Sequence, residues 1–441
     1  MLTSKGFIVQ KQNLSTTDET DIIRDLTVQP IIPNQKYSQL EPFAVYRESN
    51  SRYRIPRFYG IQKFGLKNKL PTPFSIDVDF TGVLKTETFQ DTACRLGLEQ
   101  LRNKGGGVLS LGTGFGKTTC ALYILSKLSV KTIIIVHKEF LLNQWVERIQ
   151  QFLPTATIGF IRQKKIITFG KDIVIAMLQS LSLKDYPLDV FKGFGLTIID
   201  ETHHICSKVF SRALYLFTTP YILGLSATPE RKDGLTKLLN WFVGDIFFTA
   251  SRENQSDAYV EPIYFNSDTY NNQPPLSVSG TINLSQIINI ICSITERNEI
   301  IINKISDLLK SGRKILILSD RRNHCENLYN TCLSSFPDNS FGLYMGGMKQ
   351  SELKKSESCD TIFATFSLAH EGLDIPSLNT LILATPKTDI IQSVGRIFRE
   401  NGGPKLFTPL IIDIIDSWAS LPSQYKKRKS FYIKSGFSFV L

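Results

Sequence analysis

Leu111-Gly112-Thr113-Gly114-Phe115-Gly116-Lys117-Thr118 stands between an apolar run, Val108 to Leu111, and the segment Cys120-Ala121-Leu122-Tyr123-Ile124-Leu125. Apolar run, glycine-rich turn and helix-like segment in that order spell strand, turn and helix start, the arrangement that cradles a phosphate. The glycines let the backbone curl so that successive N–H groups and a helix N-terminus aim at a polyphosphate. Lys117 would neutralise its outer oxygens and the Thr118 hydroxyl would ligate magnesium. Leu111 to Thr118 are therefore candidate ligands of a nucleoside triphosphate, with Leu111 standing where the strict pattern has glycine.

Outward from this turn the pattern continues as a parallel α/β series. Strands are predicted at 107–111, 132–136, 172–177, 196–200 and 221–225, with helices at 116–127, 139–152 and 207–217. A second series starts at Tyr259-Val260-Glu261-Pro262-Ile263 and runs through a helical stretch at 283–310, strands at 314–319, 360–365 and 379–384, and helices at 323–335 and 389–398. The expected fold class is α/β, with tandem domains over 86–250 and 258–441 joined by a polar stretch around 245–258. Residues 1–85 are expected to form a small accessory module. Its aromatic and basic cluster, Tyr46-Arg47, Tyr53-Arg54 and Pro56-Arg57-Phe58-Tyr59, suits either the core of a small β domain or stacking on nucleic-acid bases.

Composition sets the outer limits. The 441 residues, 42% hydrophobic, suffice for two or three cores. No stretch approaches the ~20 apolar residues of a membrane span, and the first residues lack a secretory pattern, so an intracellular protein without a membrane partner is expected. Seven scattered cysteines, none spaced as C-x-x-C, indicate a reducing compartment and no zinc or iron–sulfur centre. A net charge of +11 admits nucleic acid as a partner, although a solvated basic surface would give the same balance.

The second chemical signal is Leu196-Thr197-Ile198-Ile199-Asp200-Glu201-Thr202-His203-His204. Strand C-termini of an open parallel sheet face the ligand crevice. Asp200 there can hold magnesium and Glu201 can orient or deprotonate an attacking water. Either acid alone would also suit a helix cap, but the adjacent pair after a buried strand fits catalysis better. His203 is placed either to report the nucleotide state to Ser226-Ala227-Thr228 or to sit as a satisfied core histidine.

These segments together resemble superfamily 2 helicases and translocases over roughly residues 85–415. Leu111–Thr118 looks like motif I, Val136-His137-Lys138 through Trp145 like motif Ia, Asp200–His203 like the D-E-x-H form of motif II, and Ser226-Ala227-Thr228-Pro229 like motif III. Ile315–Ser319, Ala364–Pro376 and Gln392–Arg399 are similar to motifs IV, V and VI. Gly224 through Gly244 resembles the XPB branch, which includes the transcript-release helicases of large DNA viruses, although Arg231-Lys232-Asp233 departs from that branch at its middle residue.

The resemblance implies two RecA-like domains with parallel sheets and helices on both faces, ATP and magnesium as cofactors, and ATP held in the cleft between the domains. It places Gln90 at adenine, Gly372 and Asp374 near the ribose or the attacking water, and Gln392, Arg396 and Arg399 at the γ-phosphoryl. The two arginines share a face if 389–398 is helical, and the alternative for them is surface salt bridging. His137, Lys138, Gln179, Arg321, Thr365 and Ser367 become candidates for contact with nucleic-acid phosphates and sugars. The run Lys426-Lys427-Arg428-Lys429, flanked by Tyr425 and Phe431, either extends that track or forms a solvated tail. The implied activity is an ATP-driven motor, on DNA rather than RNA, moving 3′ to 5′ in viral transcription, replication or repair. The alternative is an ATP-gated clamp within a transcription complex. The N-terminal module is a candidate site for transcription or replication proteins.

Overall fold

The computed structural model describes residues 1–441 except 4–5, 32–40, 67–69, 71, 87–88, 113, 164, 206, 208, 218, 229–232, 251–257, 279, 374, 399–405 and 441. Thr113, Arg231, Lys232, Asp374 and Arg399, all singled out above, lie outside the described residues. The chain divides into two compact units, Met1–Ser251 and Arg252–Leu441.

Among the described residues the first unit is built on an eight-stranded sheet in the order Lys165–Ile167, Ile158–Arg162, Ile173–Met177, Thr132–Val136, Leu196–Ile199, Tyr221–Ser226, Gly106–Leu111, Ile246–Ala250. Every neighbouring pair is parallel except the edge hairpin formed by Ile158–Arg162 and Lys165–Ile167. The central strands are apolar without interruption because both sheet faces are covered. Alternate side chains part to opposite sides: Val108, Ile133 and Ile135 enter one core, while Leu109, Ile134 and Val136 enter the other. The second core is closed by helices Gln90–Lys104, Lys117–Leu128 and Glu139–Phe152.

The first core is closed in part by the N-terminal segment. Strands Leu2–Thr3, Gly6–Gln10, Arg52–Ile55 and Arg47–Glu48 form an antiparallel sheet, followed by helix Arg57–Phe64. Phe7, Ile22, Tyr53 and Ile55 are buried in one continuous cluster with Tyr215, Leu238 and Phe242. Tyr53, Arg57 and Tyr59 are thus core residues, which overturns the base-stacking alternative for them: their rings and stem are inside. Arg57 donates to the carbonyls of Thr219 (2.6 Å) and Pro220 (2.9 Å), and its burial pulls the guanidinium pKa down to about 10. Tyr215 donates its hydroxyl to the Val45 carbonyl.

The second unit carries, among the described residues, a seven-stranded parallel sheet in the order Phe341–Tyr344, Thr361–Thr365, Ile315–Ser319, Thr380–Leu383, Leu410–Asp416, Tyr259–Phe265, Ser438–Phe439. Strand Leu410–Asp416 places Asp413 and Asp416 on opposite faces. Each receives a buried arginine: Arg297 of helix Thr295–Lys310 grips Asp416 at 2.7 and 2.9 Å, and Arg428 of helix Leu421–Lys434 grips Asp413 at 2.8 and 2.9 Å. Helices on the two faces of the sheet are thereby fixed to one strand.

Some expected elements differ. The helix expected at 207–217 is a 3-10 turn, Phe210–Leu216, preceded by another at Thr202–Ile205. The stretch 283–310 is two helices, Leu284–Ser293 and Thr295–Lys310, broken where Ile294 is extended (ψ 116°). Residues 389–398 contain an α-turn, Ile391–Val394, that tightens to a 3-10 turn at Gly395–Phe398. Ile246–Ala250, read as part of the polar join, pairs with the phosphate-loop strand. Within the basic run, Arg428 is a core ion pair and Tyr425 is buried, so the solvated-tail reading does not hold for them. No helix among the described residues is long and apolar enough to cross a membrane.

Candidate functional site

The carboxyl ends of the first unit's parallel strands gather the chemical residues. Strand Gly106–Leu111 runs directly into the phosphate loop, and helix Lys117–Leu128 departs from it. Gly114 and Gly116 hold φ of +87° and +81°, the left-handed region that side chains avoid. A Cβ on Gly116 would also lie 2.4 Å from Nε2 of Gln90. The Lys117 ammonium rests 3.1 Å from the Leu111 carbonyl, folded back over the loop.

Gln90 is buried, and its amide serves the loop: Nε2 donates to the Phe115 carbonyl at 3.0 Å and Oε1 accepts from the Lys85 N–H at 3.0 Å. In this arrangement the side chain expected at adenine braces the phosphate loop. Gly112, Phe115 and Thr118 lie on the same turn and helix start, with the Phe115 ring buried.

Asp200 and Glu201 follow strand Leu196–Ile199. Asp200 is held from three directions: its N–H donates to Ile135 O (3.0 Å), its Oδ1 accepts from the Glu201 N–H (3.0 Å) and its Oδ2 accepts from the Trp145 indole (2.9 Å). Burial raises the Asp200 pKa and the Glu201 charge adds to the rise, while Trp145, Lys117 and His137 oppose it. Glu201 adopts φ +44°, a left-handed conformation that costs a non-glycine residue about 1–3 kcal/mol. Its Oε2 has no hydrogen-bond partner among the described residues.

These features fit magnesium and a triphosphate. A part-buried acid with an oxygen that accepts no hydrogen bond among the described residues, a second acid held rigid beside a lysine and a helix N-terminus supply hard oxygen donors and positive dipoles together. Thr118 and Asp200 would hold the metal, which when bound would neutralise charge across the outer phosphates.

Around the acids the chain is tightly cross-linked. Thr202 is fully buried and donates to the carbonyl of Leu225 at 2.9 Å, tying this turn to strand Tyr221–Ser226. His203 Nδ1 lies 3.3 Å from Ser226 Oγ and 3.4 Å from Glu201 Oε2, beside the segment it was expected to address. Trp145, Thr202 and His204 were not singled out from sequence. Trp145 carried a signal, as one of three tryptophans and the end of the motif Ia segment.

The nucleic-acid candidates separate into two kinds. His137 is 5% exposed and its ring stacks inward on His204, so it offers no side chain to a strand; its backbone carbonyl accepts from Gln179 Nε2. Gln179 lines an open cavity of about 650 Å³ together with Glu139, Arg162, Gln163, Lys165, Met177 and Ser180, in which Arg162 is paired with Glu139 and Lys165 adds a further positive charge. Lys138 lies over the Phe140 ring. In the second unit, Thr365 and Ser367 line a cavity of about 200 Å³ with Asp320 and Arg322. Arg321 instead turns to helix Leu284–Ser293, donating to Ser285 O (2.8 Å), Ser285 Oγ (2.9 Å) and Asn289.

Arg396 is also 5% exposed, with Nη1 donating to the Leu373 carbonyl at 2.6 Å, which joins the motif VI turn to the segment after helix Phe366–Gly372. Surface salt bridging, the alternative role for this arginine, does not describe it. Gln392 is half-buried on the short turn Ile391–Val394.

Comparison with known proteins gives a consistent result. Residues 84–231 match the family model described as type III restriction enzyme, res subunit, and residues 297–401 match the helicase conserved C-terminal domain. A protein of Acanthamoeba polyphaga mimivirus that bears the name of an ATP-dependent RNA helicase is 34% identical over 99% of this chain and 86% of its own length. A protein of African swine fever virus with a name of the same kind is 26% identical over 75% of this chain and 69% of its own, and a helicase-named protein of invertebrate iridescent virus 6 is 27% identical over 84% and 85%. Among solved structures, yeast Dbp5 bound to RNA and ADP BeF3 superposes with a TM-score of 0.52 at 12% identity, covering 80% of this chain and 88% of that one. An HsdR fragment of a type I restriction enzyme from Vibrio vulnificus gives 0.58 at 18%, covering 82% and 69%. The fold is that of tandem RecA-like domains.

Proposed function

The chain belongs to the superfamily 2 helicases and is an ATP-dependent enzyme of nucleic acid, and on that premise we propose that it is a translocating motor that moves 3′ to 5′ along a DNA strand and separates or displaces what is paired to it. The observation that carries the reading is the carboxylate pair beside the phosphate loop: Asp200 locked by three hydrogen bonds, and Glu201 held in left-handed backbone with one oxygen unmatched. A site that only bound nucleotide would have no use for a second, strained acid at that place.

In this reading Lys117 and the loop N–H groups bind the outer phosphates, and Thr118 and Asp200 hold the metal. Glu201 takes the proton of the attacking water, and Arg396 of the second unit, with Gln392, answers the charge that develops on the γ-phosphoryl. Gly372 is assigned to the nucleotide side of the second unit. Gln179, Lys138, Thr365 and Ser367 meet phosphates and sugars, so binding is largely indifferent to sequence and falls steeply with salt.

RNA as the track is the second reading, favoured by the names of the mimivirus and African swine fever virus relatives. ATP turnover measured at low salt without polymer and then with duplex DNA, single-stranded DNA and single-stranded RNA decides between them, with Glu201→Gln as the blank. Greater stimulation by DNA supports the first reading and greater stimulation by RNA the second. Turnover indifferent to all three polymers rejects the motor.

A further inference from the structure

Three of the chain's five histidines form one column. The ring centroids of His137 and His204 are 3.9 Å apart with planes at 34°, and those of His204 and His203 are 4.2 Å apart at 40°. Both separations are shorter than the roughly 4.5–7 Å usual between packed aromatic rings, so the column has no slack. Interiors packed at this density transmit a displacement rather than absorb it.

The two ends of the column meet different parts of the first unit. His137 opens the segment that carries Lys138, and its carbonyl is held by Gln179, a wall of the cavity that also contains Lys165 and the Arg162–Glu139 ion pair. His203 stands between Ser226 and Glu201. The middle ring, His204, touches both, and the backbone N–H of the same residue donates to the carbonyl of Glu201 at 3.0 Å. Glu201 is the left-handed residue of this turn, a conformation that persists only while its surroundings impose it. The ring column thus runs without a gap from the residue that Gln179 holds to the turn that sets Glu201.

We infer that His204 is a positioning residue that couples nucleic-acid occupancy of the Gln179 cavity to the set of the Glu201 carboxylate. A strand bound there shifts the His137 segment, His204 passes the shift on, and the Glu201 turn settles in its hydrolytic geometry. The inference rests on the motor reading above, in which Glu201 activates water and Gln179 faces nucleic acid.

The test uses the full chain and compares wild type, His204→Ala and His204→Phe for basal kcat, ATP KM, polymer-stimulated kcat, and affinity for a fluorescent oligonucleotide by anisotropy. The expected result for His204→Ala is basal kcat, KM and oligonucleotide affinity within about twofold of wild type and a stimulation factor reduced at least tenfold, inside the roughly 5–150-fold range of couplings between sites. His204→Phe, which keeps a flat ring in the column, restores at least half of the stimulation. Should His204→Ala fail to fold by circular dichroism, His204→Leu against His204→Phe carries the same comparison of non-ring with ring. A His204→Ala enzyme stimulated as strongly as wild type overturns the inference, and so does a loss of basal and stimulated rates in equal proportion, which would mark a merely structural ring. A wild type that no polymer stimulates rejects the motor reading itself and the inference with it.

Discussion

The indole of Trp145 and the carboxylate of Asp200 are joined by a 2.9 Å hydrogen bond across 55 residues of sequence. The bond aims an acid whose pKa burial raises, and the indole N–H opposes that rise. Replacing Trp145 by Phe keeps an aromatic ring in the core and removes the donor, which costs about 1.5–3 kcal/mol for a bond to a charged group in addition to the smaller ring's lost packing. The magnesium concentration for half-maximal ATP turnover is expected to rise about 10–100-fold, as for other groups that orient a metal ligand. A magnesium titration of Trp145→Phe that overlays wild type would remove this role.

Glu201 sits at φ +44°. Glu201→Gly should relieve the backbone and remove an unmatched buried oxygen, raising stability by about 1 kcal/mol while ATP turnover falls about 10²–10⁴-fold. Glu201→Gln should lose turnover similarly without the gain in stability. Thermal midpoints of the two variants, side by side with their turnover, check both statements.

Arg297 and Asp416 are both wholly buried and bonded at two points, with Tyr270 donating to the same carboxylate at 2.7 Å. Asp416→Ala leaves a cation without a partner and is expected to cost about 3–5 kcal/mol, whereas Arg297→Met with Asp416→Leu recovers most of that. Urea denaturation of the single and double variants distinguishes a pair that must be complete from one that contributes nothing.

His324 is buried against Ser319 and Asn298, and burial pushes its pKa down to about 3, with Arg297 adding to the effect. Its folded pKa lies below the unfolded value near 6.5, so the unfolded chain gains a proton first as the pH falls. The stability it contributes is complete above about pH 6.5 and is lost toward pH 3, with a slope approaching about 1.4 kcal/mol per pH unit. His324→Gln should flatten the acid limb of stability, and a histidine-resolved NMR titration should find this ring neutral throughout that range.

Arg57→Leu removes two hydrogen bonds to the Thr219 and Pro220 carbonyls and should destabilise the first unit by about 1.5–3 kcal/mol. Deleting residues 1–64 uncovers Tyr215, Leu238 and Phe242 together and should yield an aggregated protein, as sedimentation would show.

The phosphate loop and the Asp200–Glu201 pair were legible in sequence because their chemistry demands neighbouring residues of fixed type. So were the strands at 132–136 and 196–199, apolar throughout because both faces are covered. What supports the site was not legible. Trp145 and Asp200, or Arg57 and Thr219, meet only after the chain has folded, and nothing local marks either partner. The basic cluster misled for a related reason: Arg428 looks like surface chemistry until Asp413 is known to receive it, whereas for Tyr53 the core and stacking readings were both open and the Phe7 cluster decides for the core. Expected helical runs at 207–217 and 283–310 were shortened or divided by tertiary packing, which overrides local periodicity.

The fusion of the N-terminal sheet to the first core also bears on how the polypeptide is made. Arg57 emerges from the ribosome 162 residues ahead of Thr219, the carbonyl it must grip. At roughly 5–20 residues per second, that is about 8–30 s during which Phe7, Tyr53 and Ile55 can pack only on one another and on neighbours such as Ile22, before Tyr215, Leu238 and Phe242 exist to cover them. Burial of this segment is therefore completed only after synthesis has passed Phe242, well behind the residues that wait for it.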